Sequence, residues 1–175
     1  AAFDDWQEID SVYLKDPAGL LTPERVTELV PKMQGRLSRL RLDEIHTHCN
    51  TGLAPLTLLA AADAGMTTLH CALPPVANGG SHSSALRLVA NLRARGHTVE
   101  ANVDALEAAS AQLRREAALH GLPAAAPVEY DEAYYRHTIP GGVITTTRRQ
   151  LAEMGRADLL PQVMEEAVQV RSDLG

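Results

Sequence analysis

A chain of 175 residues, 45% of them apolar, is long enough to bury the core of one ordinary domain. Its net charge of −6 and the lack of any dense basic cluster exclude a nucleic-acid groove. Aromatic residues make up only 3%, which disfavours base-stacking or carbohydrate platforms, while abundant alanine favours close helix packing.

No apolar run has the length of a bilayer helix and no secretory leader is visible, so a cytoplasmic location is expected. Cys49 and Cys71 lack Cys-x-x-Cys spacing and read as buried thiols in a reducing compartment. Ala1 is not an initiator Met, so a trimmed chain or a fragment is expected.

In chain order, Val12 to Lys15 is a short strand ending at the turn cluster Asp16-Pro17-Ala18-Gly19. Thr22-Pro23-Glu24 opens a helix, with Thr as cap, Pro at the first position and Glu in the first turn. Val26, Leu29, Val30 and Met33 continue it, and Pro31 predicts a kink or an early stop. A second strand spans Glu44 to Cys49. An Ala/Leu helix follows over 53–64, with Gly65 as its C-terminal residue. A third strand is expected from Thr67 to Leu73, broken by Pro74-Pro75. After the loop 77–81 a helix begins at Ser83 or Ser84 and stops at Gly96.

Three strand–loop–helix units joined by short links predict parallel strands in an α/β protein. From about Asp104 only helices are expected, including a long one ending at His120-Gly121 and two over 144–154 and 159–174.

The chemistry concentrates at His46-Thr47-His48. Side chains alternate along a strand, so the two imidazoles share one face and offer half of a metal site. Lys15, this pair and the Gly-rich loop all fall at the C-terminal ends of strands, where α/β folds place their active sites. The ordinary alternative is two strand histidines and a lysine that pairs with Asp16.

The segments Leu14-Lys15-Asp16-Pro17-Ala18-Gly19-Leu20-Leu21-Thr22-Pro23, His46-Thr47-His48 and Ile139-Pro140-Gly141-Gly142, in that order, resemble the carboxyltransferase domain of biotin-dependent enzymes. These include pyruvate carboxylase, the oxaloacetate decarboxylase alpha subunit and the transcarboxylase carboxyltransferase subunit. The resemblance implies a metal-dependent TIM (β/α)8 barrel with a helical funnel. Three units are too few for a whole barrel, so the expected fold is its last three βα units over residues 1–103. A helical annex over 104–175 would form part of the funnel.

The resemblance also implies the site. Lys15 would be carboxylated on its amine and, with His46 and His48, would hold a divalent ion (Zn, Co or Mn). A carbamate presents an anionic oxygen where an ammonium would repel the cation. The ion would polarise the keto oxygen of a small 2-keto acid such as pyruvate during carboxyl exchange with biotin on a carrier domain or protein. A homo-oligomer is expected. The family's aspartate ligand from an Arg-Asp motif and its proton-handling threonine have no counterpart here. The chain is therefore expected to need the remainder of the barrel and to be inactive alone.

There are departures. Pro17 stands in place of Met, His70-Cys71-Ala72 replaces Asp-Thr-Ala, and Gly79-Gly80-Ser81-His82 replaces Gly-Thr-Ser-Gln. His82 is expected to be a loop or helix-cap residue rather than a group on the substrate side. His70 is expected in or behind the strand, and Cys49 in the core. Gly141 and Gly142 predict a turn with positive φ that seats the annex on the barrel mouth. The alternative functions are a lyase or synthase of the hydroxymethylglutaryl-CoA lyase branch and a non-catalytic assembly piece.

Overall fold

A computed structural model of the protein describes residues 5–175. Strand β1 (Ser11–Asp16) leads through a loop into helix α1 (Pro23–Gln34), strand β2 (Arg41–Thr47), helix α2 (Ala54–Asp63) and strand β3 (Thr68–Leu69). A 3₁₀ turn (Pro74–Val76) and helix α3 (Ala85–Ala94) follow. The strands are parallel and ordered β1-β2-β3, as their helical crossovers require.

Local chemistry accounts for the helix starts. The Thr22 hydroxyl accepts from the Arg25 amide at 3.3 Å with Pro23 beside it, and the Ser84 hydroxyl accepts from Arg87 at 3.5 Å. Helix α1 runs through Pro31 to Gln34, so the expected stop does not occur. Pro31 deprives the Thr27 carbonyl of its helical donor, and Thr27 lies on the exposed side of the helix, where the loss is cheapest.

The third strand is shorter than expected. His70 still donates to the Ile45 carbonyl at 3.0 Å, after which Ala72 changes partner and bridges Ser84. The chain thus leaves β2 to bind the loop before α3, and the prolines form the turn beyond.

One face of the sheet is covered. Ile45, Leu42, Val26, Val30, Leu58, Leu59, Leu88 and Leu92 form the core between β2 and helices α1 to α3, with Val12 and Leu14 packed against it. The opposite face carries Tyr13, whose ring lies 6.2 Å from that of His46 and 6.1 Å from that of His70.

Beyond residue 103 the described elements are helices: α4 (Val103–Leu119), α5 (Ala133–His137), α6 (Gly141–Glu153) and α7 (Leu160–Leu174). Neither Gly141 nor Gly142 has positive φ, contrary to expectation. Gly141 instead serves close approach: a Cβ there would collide with the Asn50 side chain and lie 3.1 Å from Gly80 Cα. The start of α6 is thereby pressed onto the loops that follow β2 and β3. Among the described residues no helix is long and apolar enough to cross a membrane.

Candidate metal centre

The end of β1 is locked to the end of β2 by Asp16. Its buried carboxylate accepts the Leu20 and Leu21 amides at 2.9 and 3.0 Å and the Thr47 hydroxyl at 2.8 Å. Asp16 is thus engaged with the loop and with β2 on the core side, while the alternation of the strand sends Lys15 to the other face. Gly19 allows the fit: its φ is +70°, and a Cβ would collide with the His48 carbonyl. Thr51 donates to the Gly19 carbonyl at 2.5 Å and Thr57 to that of Leu21 at 2.7 Å.

Lys15 is the register partner of His46. It is exposed, and its positive charge contributes to the lowered His46 pKa. His46 and His48 share a face, with Nε2 atoms 3.1 Å apart.

Two further imidazoles complete a cluster. His70 approaches His46 with Nδ1 to Nδ1 at 2.9 Å and places Nε2 2.6 Å from the Glu44 carboxylate. It stands beside His46 on the open face rather than behind the strand. His82 packs edge-on against His46, ring centroids 4.4 Å apart, and lies 4.6 Å from the His48 ring. It is not a helix cap, since Ser84 caps α3. One ring nitrogen from each of His46, His48 and His82 lies within 4.8 Å of the other two.

Hydrogen bonds dictate which nitrogens are bare. A carbonyl only accepts, so His48 Nδ1, 2.7 Å from Gly80 O, carries a proton. His82 Nδ1 likewise donates to Thr47 O at 3.0 Å. In the neutral rings Nε2 of both is then a lone pair. For His46 there are two states. If His70 is charged against Glu44, its Nδ1–H donates to His46, whose Nε2–H then points at His48. If His70 is neutral with its proton on Nε2, His46 donates through Nδ1 and turns a lone pair toward that of His48. Two lone pairs at 3.1 Å repel unless a cation lies between them. The separation is close to the edge of a tetrahedral zinc site, about 3.3 Å for Zn–N bonds of about 2.0–2.1 Å. In that second state this donor set fits a divalent transition metal.

Electrostatics favour the uncharged form of His46 and of His82. His46 is held down at about 4 by burial, then by the neighbouring His82, His48, His70 and Lys15. Burial also lowers His82, against the hydrogen bond to the Thr47 carbonyl, which raises it. Neutral imidazole is the form that binds metal.

Of the two cysteines, Cys49 is buried in the core as expected, 3.5 Å from the Ser83 hydroxyl, whereas Cys71 is exposed. Both are unpaired.

A parallel α/β unit that gathers imidazoles at the C-terminal ends of its strands has the layout of a metal-assisted enzyme site. No family model matches the chain. It is similar to a pyruvate carboxylase subunit of Methanocaldococcus jannaschii, with 32% identity over 169 residues, 95% of this chain and 29% of that protein. It is also 24% identical over 166 residues to the methylmalonyl-CoA carboxyltransferase 5S subunit of Propionibacterium freudenreichii subsp. shermanii, covering 95% of this chain and 33% of that one. Its fold matches part of the carboxyl transferase domain from Rhizobium etli pyruvate carboxylase, a structure holding pyruvate and biocytin. The TM-score is 0.80 and the identity 22%, over 90% of this chain and 26% of the other. The expected resemblance to carboxyltransferases is thus present in sequence and in fold. The chain spans about a third or less of the length of these relatives.

Proposed function

We propose that this chain is the last three βα units of a carboxyltransferase barrel, over residues 1–103, followed by a funnel segment over 104–175. The enzyme transfers a carboxyl group between carboxybiotin and a 2-keto acid of the pyruvate or oxaloacetate type, in the cytoplasm. Residues 1–4 of the first unit lie outside the described residues. His46 and His48 hold a divalent metal, joined by Lys15 as its carbamate. When bound, the metal supplies Lewis acidity toward the keto oxygen of the substrate.

The chain's own residues prepare that chemistry. Gly80 and Thr47 carbonyls fix the His48 and His82 tautomers and leave their Nε2 atoms unprotonated. Asp16 holds the Lys15 strand end against β2, which keeps Lys15 in register with His46. Asn50 and Gly80 receive Gly141, and this contact brings α6 over the same end of the strands. The uncovered sheet face, with Tyr13 and the histidines on it, agrees with a barrel interior that other strands would close.

The observation that carries the reading is the meeting of the Lys15, His46-Thr47-His48 and Gly141 motifs at one end of a parallel sheet, in a chain similar to carboxyltransferases over 95% of its length. The test uses the longer protein that contains this chain. Biotin-dependent decarboxylation of oxaloacetate should be present, should require a divalent metal, and should be lost in Lys15→Ala and His46→Ala. Activity that persists in both variants overturns the assignment of the site.

A further inference from the structure

We propose that His82 is a ligand of the same metal, so that His46, His48 and His82 form a three-imidazole face belonging entirely to this chain. The inference rests on the reading that His46 and His48 bind a metal, and goes beyond it in the number and source of the ligands.

The loop that carries His82 is built for this position. Asn78 and Gly79 adopt positive φ, +73° and +56°, and turn the chain back on itself. The Asn78 amide donates to the His82 carbonyl at 2.7 Å and the Ser81 amide to that of Asn78 at 3.0 Å, which closes the turn. The Cys49 amide then donates to Ser81 at 2.8 Å, and the Ala72 amide to Ser83 at 2.9 Å. His82 is thus clamped between backbone bonds from the ends of β2 and of the segment after β3.

Its ring is oriented as firmly as its backbone. The donation from Nδ1 goes to Thr47 O, on the residue between the two histidines of β2. In the neutral ring that bond puts the proton on Nδ1 and leaves Nε2 as the lone pair. A backbone carbonyl on the far nitrogen of a ligating histidine is the usual outer-shell arrangement of zinc sites. His48 has the same arrangement through Gly80. His46 has a longer one, through His70 to Glu44. Each of the three rings therefore has one nitrogen engaged by a hydrogen bond, and one ring nitrogen of each lies within 4.8 Å of the other two. Three neutral imidazoles with room for a further oxygen ligand are a catalytic zinc-type donor set. Lys15, one strand over, is placed to add its carbamate to that set rather than to complete a two-histidine one.

The experiment measures metal binding by this chain directly, without turnover. Zinc chloride is titrated calorimetrically into the purified chain, and cobalt(II) is followed by its visible absorption. The informative variant is His82→Asn, whose amide can still donate to the Thr47 carbonyl but has no inner nitrogen; its fold is checked by circular dichroism. The wild type should bind one ion. His82→Asn should bind roughly tenfold or more weakly, with an altered cobalt spectrum. Lys15→Ala should bind with a smaller loss. If His82→Asn binds within about twofold of the wild type while His46→Ala and His48→Ala fail, His82 is not a ligand although the two-histidine site stands. If none of the histidine variants changes binding, the inference fails together with the metal reading beneath it; if the wild-type chain binds nothing, the inference of a three-imidazole site belonging entirely to this chain fails.

Discussion

The α/β part and the helices beyond residue 103 are stabilised differently. The first encloses a core of ten buried apolar residues drawn from β2, α1, α2, α3 and the segment preceding β3, with Ile45, Val26, Val30 and Leu58 fully buried. In α4 to α7 the buried residues are Ser110 and Gly141, neither of which contributes a large apolar side chain. Val143, Met154, Val170 and Leu174 are exposed there, Leu174 at 83%. Apolar burial is the main favourable term in folding, so the two regions differ in what they can support alone. The α/β part contains the apolar core, and the imidazoles are carried on the strands and loops packed against it. The helices approach the site closely through Gly141 against Asn50 and leave apolar surface exposed.

This contrast can be broken most forcefully in the core. Leu58→Ala should cost about 2–5 kcal/mol in urea unfolding and melt the α/β part, whereas Val170→Ala should shift stability by no more than about 0.5 kcal/mol. Equal effects would mean that the helices are as well packed as the sheet. Next comes Asp16→Ala, which leaves the Leu20 and Leu21 amides and the Thr47 hydroxyl without their acceptor. A loss of about 3 kcal/mol is expected, together with weaker zinc binding, because the loop holding β1 to β2 is freed.

Gly141→Ala sharpens the comparison from the other side. The added methyl meets Asn50, so hydrogen exchange in α6 should quicken while exchange in β2 and α2 stays as it was. Uniform acceleration in both regions would show that the helices are an integral part of the core.

The smallest expected effect concerns acidity. In the metal-free protein His46 titrates near 4 when folded, below the 6.5 of an unperturbed imidazole. Between those values the unfolded chain binds the proton and the folded one does not. This contribution to stability is therefore complete above pH 6.5 and is lost as the pH falls toward 4. Unfolding midpoints for the wild type and His46→Gln, compared at pH 7 and pH 5, should diverge in that sense. A wild type that loses no more than the variant would contradict the assigned environment of His46.

Much of this was legible along the chain because it depends on near neighbours. The Thr22-Pro23 and Ser84 helix starts, the alternation that puts His46 and His48 on one face, and the parallel order of three units all follow from residues a few positions apart. Chain-local reasoning failed where a residue's partner is distant in sequence. Pro31 reads as a stop until the exposed position of Thr27 is known. The glycines of Ile139-Pro140-Gly141-Gly142 read as a turn, whereas Gly141 serves a contact with Asn50 and Gly80. His70, expected in the third strand, and His82, in the loop after it, join His46 and His48, so that four of the seven histidines gather in one cluster.

What the sequence determined by itself was the set of elements, their direction and the motifs shared with carboxyltransferases, because periodicity, caps and short links act within a few residues. The tertiary structure alone decided that His82 faces His46 and His48, that His70 bridges His46 to Glu44, and that Asp16 turns to the loop rather than to Lys15. Each of these pairings except the bond from Asp16 to its own loop spans more than twenty residues. Such distances are closed by the packing of α1, α2 and α3 on the sheet, which determines where the loops carrying these side chains come to rest.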